Sequence, residues 1–353
     1  MKNICILSAA AVLVSAASCS VDMAQSAKPS KDLENPRSSL LLLENDRIAV
    51  GILPAVGAHV VMFRTKDGGN LLNSDARLWT APLPNVTAEP PPFLPYNGHI
   101  YWLGPQKGWW QQQDLNADRR DRKATWPPDP YLTLGKYEIL EQTKESVKLR
   151  SPQSPVSGIQ MTKEISLKDG KVFLKVTAVN IRNKDVSWGI WSNTRLPGNA
   201  SVYVPVGKEG GVLRVEFTAW NPEKERILPY EITDGFLHFD IPSVAADKEH
   251  VFTSKTFIYP SEPLIAAFSN GYLFIKRSSL IPKNTIHPDQ SFVEIYKLTG
   301  NLKDTLTELE MQGAYAALKP GESMSFEEDW ELIPCGDLSG TAERIKFLKE
   351  KLK

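Results

Sequence analysis

Two glutamates near the C-terminus are spaced for acid–base chemistry. Glu308, Glu310 and Gln312 alternate with Leu309 and Met311, so an extended strand sets three polar side chains on one face and two apolar ones on the other. Carboxyl groups placed this way can exchange protons with a ligand if the face lines a cleft; the same pattern also suits a solvated face. A second set of residues is aromatic. Trp109, Trp110 and Trp126 fall in one stretch dense in Pro and Gln. An indole face stacks on the C–H face of a pyranose, so the three are candidates for a sugar platform; the alternative is that they pin the stretch to a sheet. Metal chemistry has no such footing. His59, His238, His250 and His287 are scattered without ligand spacing, and neither a His-Glu-x-x-His run nor a calcium loop is present. No Gly-x-Ser-x-Gly elbow occurs. No metal and no cofactor are expected.

The elements that position these residues are strands. Period-two alternation predicts them over 47–53, 58–64, 136–140, 146–149, 159–167, 172–180, 186–194, 201–205, 236–241, 251–258, 264–268, 272–276, 292–298, 306–312 and 323–332. Lys168-Asp169-Gly170 joins two of them in a tight hairpin. Only 342–352 reads as helix, with Ile345, Leu348 and Leu352 on one stripe and Ser339 or Thr341 as cap. The expected fold is all-β, a large antiparallel sandwich with a short C-terminal helix and one domain over 39–353. One long irregular excursion, from Trp79 to about Tyr131, interrupts the strands and carries all three candidate tryptophans. Excursions of this length inside a compact domain are commonly functional. Its charged middle, 118–123, reads as a solvated segment.

Lys plus Arg and Asp plus Glu both number 41, with no block of like charge, so a nucleic-acid partner is not expected. The N-terminus is different in kind. Lys2 and Asn3 precede an apolar or small run from Ile4 to Ala17, which ends at Ser18-Cys19-Ser20. That run falls short of the roughly 20 residues of a spanning helix and fits a secretory signal. Ala16-Ala17-Ser18-Cys19 is similar to a bacterial lipobox, with Ala16 where Leu is commonest. The expectation is a signal over 1–19, lipidation of Cys19, a flexible polar tether over 20–38, and a membrane partnership through the lipid alone. Cys335 then has no disulfide partner; without lipidation, ordinary cleavage and a Cys19–Cys335 bridge compete.

Several segments together resemble the galactose mutarotase-like, or aldose 1-epimerase-like, superfamily. They are the hairpin from Ile48 through Phe63 with Gly69-Asn70-Leu71-Leu72; Asn97-Gly98-His99-Ile100-Tyr101-Trp102; Val179-Asn180 followed by Val186 to Asn193; and Leu309-Glu310-Met311-Gln312 followed by Leu318-Lys319-Pro320-Gly321-Glu322. The set spans roughly residues 40–335. Trp126-Pro127-Pro128-Asp129-Pro130 and Trp191-Ser192-Asn193-Thr194-Arg195 mark it as similar to a bacterial lipoprotein subfamily of that fold. The resemblance implies a β-supersandwich with a sugar cleft on one face and Glu310 as base, with Glu308 in its place if the register slips by two. The family acid, a histidine, has no counterpart near Ser192 and Asn193. His99 is the substitute candidate, as acid or hydroxyl ligand. Asn193 and Arg195 are substrate-binding candidates. Arg195 cannot act as an acid near neutral pH, but it can fork a carboxylate such as that of a uronic acid.

Three functions follow as expectations. The chain is a lipid-anchored envelope protein that binds mono- or oligosaccharide with or without weak catalysis, a true epimerase using Glu310 and His99, or an interaction module that has lost the site. The discriminating geometry is convergence of Glu310, His99 and Arg195 on one pocket; the three on different faces would count against the sugar site they define.

Overall fold

Along Ile159–Lys168 buried and half-exposed residues alternate one by one. The adjoining Lys171–Asn180 strand keeps the same beat, because one face of each packs inward and the other meets solvent. Residues 36–353 are described by the structure, a computed structural model, apart from 93, 208–210, 218–220 and 240. The expected signal over 1–19, Cys19 included, lies outside the described residues.

The described strands form two large sheets. The first runs in the order Leu41–Glu44, Ile48–Leu53, His59–Thr65, His99–Gly104, Val186–Pro197, Leu306–Gln312, Val293–Gly300, Val251–Ile258, Val212–Glu216. The second runs Glu231–Thr233, Phe236–His238, Ser201–Pro205, Leu264–Ser269, Tyr272–Ser278, Ser323–Pro334, Lys171–Asn180, Ile159–Lys168, Ser146–Arg150, Glu138–Gln142. Neighbours within both orders pair antiparallel; the short Glu225–Ile227 strand adds a parallel pairing to Val251–Ile258. Between the sheets lies a continuous core that includes Phe63, Ile190, Leu309, Phe274 and Trp330.

The helix forms over Thr341–Lys351. Ile345 and Leu348 bury against Tyr203, Phe268 and Leu273 of the second sheet. Its first turn is held differently from the expected cap. Gly340 takes the cap position without a side-chain bond, and Glu343 reaches back to the Ser339 backbone N–H.

The excursion is more ordered than its composition suggests. It contains a strand of the first sheet, His99–Gly104, buried along its whole length, and two short helices, Ala117–Asp121 and Pro130–Thr133. Alternation fails to reveal this strand because both of its faces are covered, one by the core and the other by the excursion itself. The excursion is tied down by buried polar groups. Trp110 Nε1 donates to the Pro127 carbonyl at 2.8 Å, and Gln113 Nε2 donates to the carbonyls of Trp110 and Asn116. The buried Asp129 carboxylate accepts from Ser154 Oγ and from the Ser157 N–H.

Candidate functional site

Strand register decides which candidates meet. On Val186–Pro197, Trp191, Asn193 and Arg195 point to the outer face of the first sheet, while Ser192 and Thr194 point into the sandwich. Arg195 pairs across to Glu308 and Asn193 to Glu310. Glu310 in turn pairs to Glu294, and Phe257 of the next strand to Glu294. The outer face therefore carries a ladder of alternating charge. Arg195 Nε donates to Glu308 Oε1 at 2.7 Å. Asn193 Nδ2 donates to Glu310 Oε1 at 3.1 Å. Lys255 Nζ stands 2.9 Å from Glu310 and 2.7 Å from Glu294, and 4.5 Å from the centre of the Trp191 ring.

Burial and neighbours drive the two central carboxyls apart. Burial disfavours the charge on Glu310; Lys255 opposes this, but Glu308 and Glu294 reinforce it, and the pKa is held well above the usual range. Burial acts the same way on Glu308, yet the Arg195 guanidinium, a hydrogen bond from Glu310 and the Lys255 charge outweigh it, and its pKa is lowered. Lys255 loses hydration too, but Glu294 and Glu310 keep it protonated. The two neighbouring carboxyls thus differ in proton affinity, a division that environment commonly imposes on buried carboxyl pairs.

Above the ladder stands a wall of four indoles. Trp102 meets Trp191 edge-on at 5.1 Å, and Trp109 and Trp126 from the excursion close over them at 5.6–6.3 Å. Beneath this wall Asn193 Oδ1, Trp191 Nε1 and Gln312 Oε1 are buried without a hydrogen-bond partner among the described residues. At one end the ladder opens into a cleft of about 510 Å³ whose lining includes Trp191, Phe257, Lys255, Glu294 and Arg214. At the other end, beyond Trp102 and Arg195, lies a small apolar cavity.

His99 is not in this constellation, which corrects the expected convergence. Glu310 and Arg195 share the outer face; His99 pairs with Thr194 across the sheet, and its ring points between the sheets. There Nδ1 meets Thr194 Oγ1 at 2.9 Å. Nε2 lies 3.4 Å from Glu328 without hydrogen-bond alignment. Tyr101 O–H and Ser192 O–H donate to the same carboxylate, and Lys276 Nζ sits 3.3 Å from it. Burial, with the nearby Lys276 and Lys163 charges, holds His99 well below the usual imidazole range. The physical reason for the correction is the two-residue repeat of a strand. Position 99 is one residue off the outward-facing Ile100 and Trp102, and odd and even residues cannot share a face.

The other candidates sort by burial. Trp110 is fully buried and, through its bond to Pro127, anchors the excursion, so it offers no face to a sugar. Trp109 is 3% exposed and Trp126 42%, which leaves Trp126 as the accessible member. Arg195 is buried; it engages Glu308, donates Nη1 to Asn97 Oδ1 at 2.8 Å and lies over the Trp102 ring. A ligand carboxylate would have to compete with Glu308 for it. Asn97 is held for this role by backbone shape. Both Asn97 and Gly98 have positive φ, and a Cβ on Gly98 would lie 2.2 Å from the Val60 carbonyl, so the turn requires glycine.

Lys255, Glu294, Trp102, Trp191, Asn97 and His59 belong to this face and were not among the expected site residues. Lys255 and Glu294 occupy polar slots in alternating strands, the same signal that singled out Glu310. Only the strand order makes them neighbours. Among the described residues no group of three or more His, Cys, Asp or Glu side chains is arranged to hold a metal ion.

A protein from Synechocystis superposes on this chain with a TM-score of 0.56 at 11% identity, over 87% of this chain and 100% of that one. A galactose mutarotase related enzyme from Lactobacillus acidophilus superposes with a TM-score of 0.51 at 11% identity, over 84% and 98% respectively. The fold is mutarotase-like, with two antiparallel sheets and a C-terminal helix. A search of curated proteins finds no significant match. Residues 39–333 match the family model described as a domain of unknown function, and the chain belongs to that family, DUF4380.

Proposed function

We propose that this protein binds a carbohydrate along the outer-face ladder, entering by the cleft beside Lys255. The observation that carries the reading is the ladder itself. Cations, carboxyls and amides, several with unused hydrogen-bonding capacity, lie under and beside indole faces. Hydroxyls of a sugar satisfy such groups pairwise while its C–H faces rest on aromatic rings. The cleft volume of about 510 Å³ lies within the range of small-ligand sites. The mutarotase-like fold supports the same reading.

The opposed proton affinities of Glu308 and Glu310 favour a second reading, anomer exchange. In it Glu308, ionised by Arg195, accepts the anomeric hydroxyl proton while Glu310 donates to the ring oxygen. The C1–ring-oxygen bond breaks to an open-chain carbonyl, rotation follows, and reclosure returns both protons. The pair does this without His99, which lies on the other face of the sheet. Chain export and anchoring through acylated Cys19 belong to the same proposal, supported by the lipobox-like 16–19 segment; mass spectrometry of Cys19→Ser against the parent protein tests it.

Ligand-observed NMR with hexoses, 6-deoxyhexoses, uronic acids and short oligosaccharides tests the main reading. Binding that falls at least tenfold in Glu310→Gln and Lys255→Met is expected. If no sugar binds, or if the variants bind unchanged, the ladder is not the site. Anomer exchange faster than buffer, abolished by Glu310→Gln, separates catalysis from binding alone.

A further inference from the structure

Beyond Trp102, at the Arg195 end of the ladder, the excursion closes a cavity of about 30 Å³. Its rims are prolines, Pro90–Pro92 on one side and Pro127, Pro128 and Pro130 on the other. Leu94, Leu134, Ile100 and the Trp102 edge complete an apolar lining. Proline contributes ring carbons and no N–H donor; what remains polar is the floor, formed by Asn97, Arg195, His59 and Thr133.

That floor is committed internally. Arg195 engages Glu308 and Asn97. His59 sits between the carbonyls of Asn97 and Thr133, 3.1 Å from Nδ1 and 2.9 Å from Nε2, and its neutral ring donates to one of them; Thr133 Oγ1 donates to the Asp129 carbonyl. The cavity therefore presents carbon surface to a guest. One water needs about 10–15 Å³ measured this way, so the space matches a group of one to three heavy atoms, such as a methyl or an acetyl. A whole sugar ring does not fit.

Its position connects it to the ladder. Ile100 pairs directly with Asn193, whose amide donates to Glu310. Each cross-strand step is about 5 Å, so the cavity lies about two steps from the Glu310 carboxyl. Arg195 lines the cavity and bonds Glu308, so cavity and ladder adjoin at this end.

We infer that the proline-rimmed cavity is an apolar subsite and that the ligand is a saccharide bearing a methyl- or acetyl-sized substituent, a deoxy, O-methyl or acetyl group, seated there. This rests on the carbohydrate reading and specifies it. Isothermal titration of matched pairs tests it: L-fucose against L-galactose, L-rhamnose against L-mannose, and N-acetylglucosamine against glucose. Burying one methyl is worth about fourfold in affinity, so the substituted member of at least one pair binds about fourfold tighter or more. Leu94→Trp fills the cavity from one rim and Leu134→Trp from the other. Either abolishes the preference and leaves the parent sugar's affinity unchanged. Equal binding within every pair, or a preference that survives both variants, overturns the subsite and leaves the carbohydrate reading standing. No binding by any of the six sugars sinks both.

Discussion

Replacing Lys255 by Met removes the cation shared by Glu294 and Glu310 and keeps most of the side-chain volume over Trp191. Breaking a buried ion pair from one side costs about 3–5 kcal/mol. The Lys255 side chain is 21% exposed, which places the expected loss near the lower limit, about 3 kcal/mol at pH 8. The two carboxyls have a way out, which is to bind protons. Without the ammonium the Glu310 carboxyl, which burial and its carboxylate neighbours already hold well above the unfolded value near 4.3, binds its proton tighter still. A carboxyl whose folded pKa is raised contributes stability at low pH and loses it as pH rises through that value. The variant's deficit is therefore largest at pH 8 and shrinks toward pH 5. Urea unfolding of parent and variant at both pH values measures it, and the double change with Glu310→Gln recovers at least about 1 kcal/mol at pH 8, because the two sites are coupled. A deficit that is the same at pH 5 and pH 8, or below about 1 kcal/mol at both, refutes the charge ladder as described.

Other perturbations read other parts of the structure. Burial, opposed by contacts to Asn97 and Thr133 and aided by Lys163, pushes the His59 pKa from 6.5 down to about 4. The unfolded chain thus binds the extra proton first, and about 3 kcal/mol is lost as pH falls from 6.5 to 4; His59→Gln flattens that window in a stability-against-pH series. Trp110→Ala removes a fully buried indole and the bond to Pro127, and is expected to cost about 3–5 kcal/mol with increased proteolysis of residues 105–130. Trp126→Ala, at an exposed position, costs under about 1 kcal/mol but weakens sugar binding, and the contrast between the two, read in paired urea and binding titrations, separates anchor from platform.

Much of the architecture was legible without coordinates. The alternating strands at 159–167, 172–180, 251–258 and 306–312, the Lys168-Asp169-Gly170 hairpin and the helical stripe of Ile345 and Leu348 all express local periods, and local periods survive in a linear chain. The outward face of Glu308, Glu310 and Gln312 was legible for the same reason. His99–Gly104 was not recognised as a strand, because burial on both faces erases alternation.

What the chain alone determined is which residues share a face within one strand. Which strands lie side by side, and so which faces meet, is set by sheet order, a property of contacts between residues far apart in sequence. Tertiary structure thus brought Lys255 and Glu294 to Glu310. It turned His99 into the sandwich and committed Arg195 to Glu308. It also divided the tryptophans into a buried anchor and an exposed edge, since burial depends on what the excursion folds against and not on the indole itself.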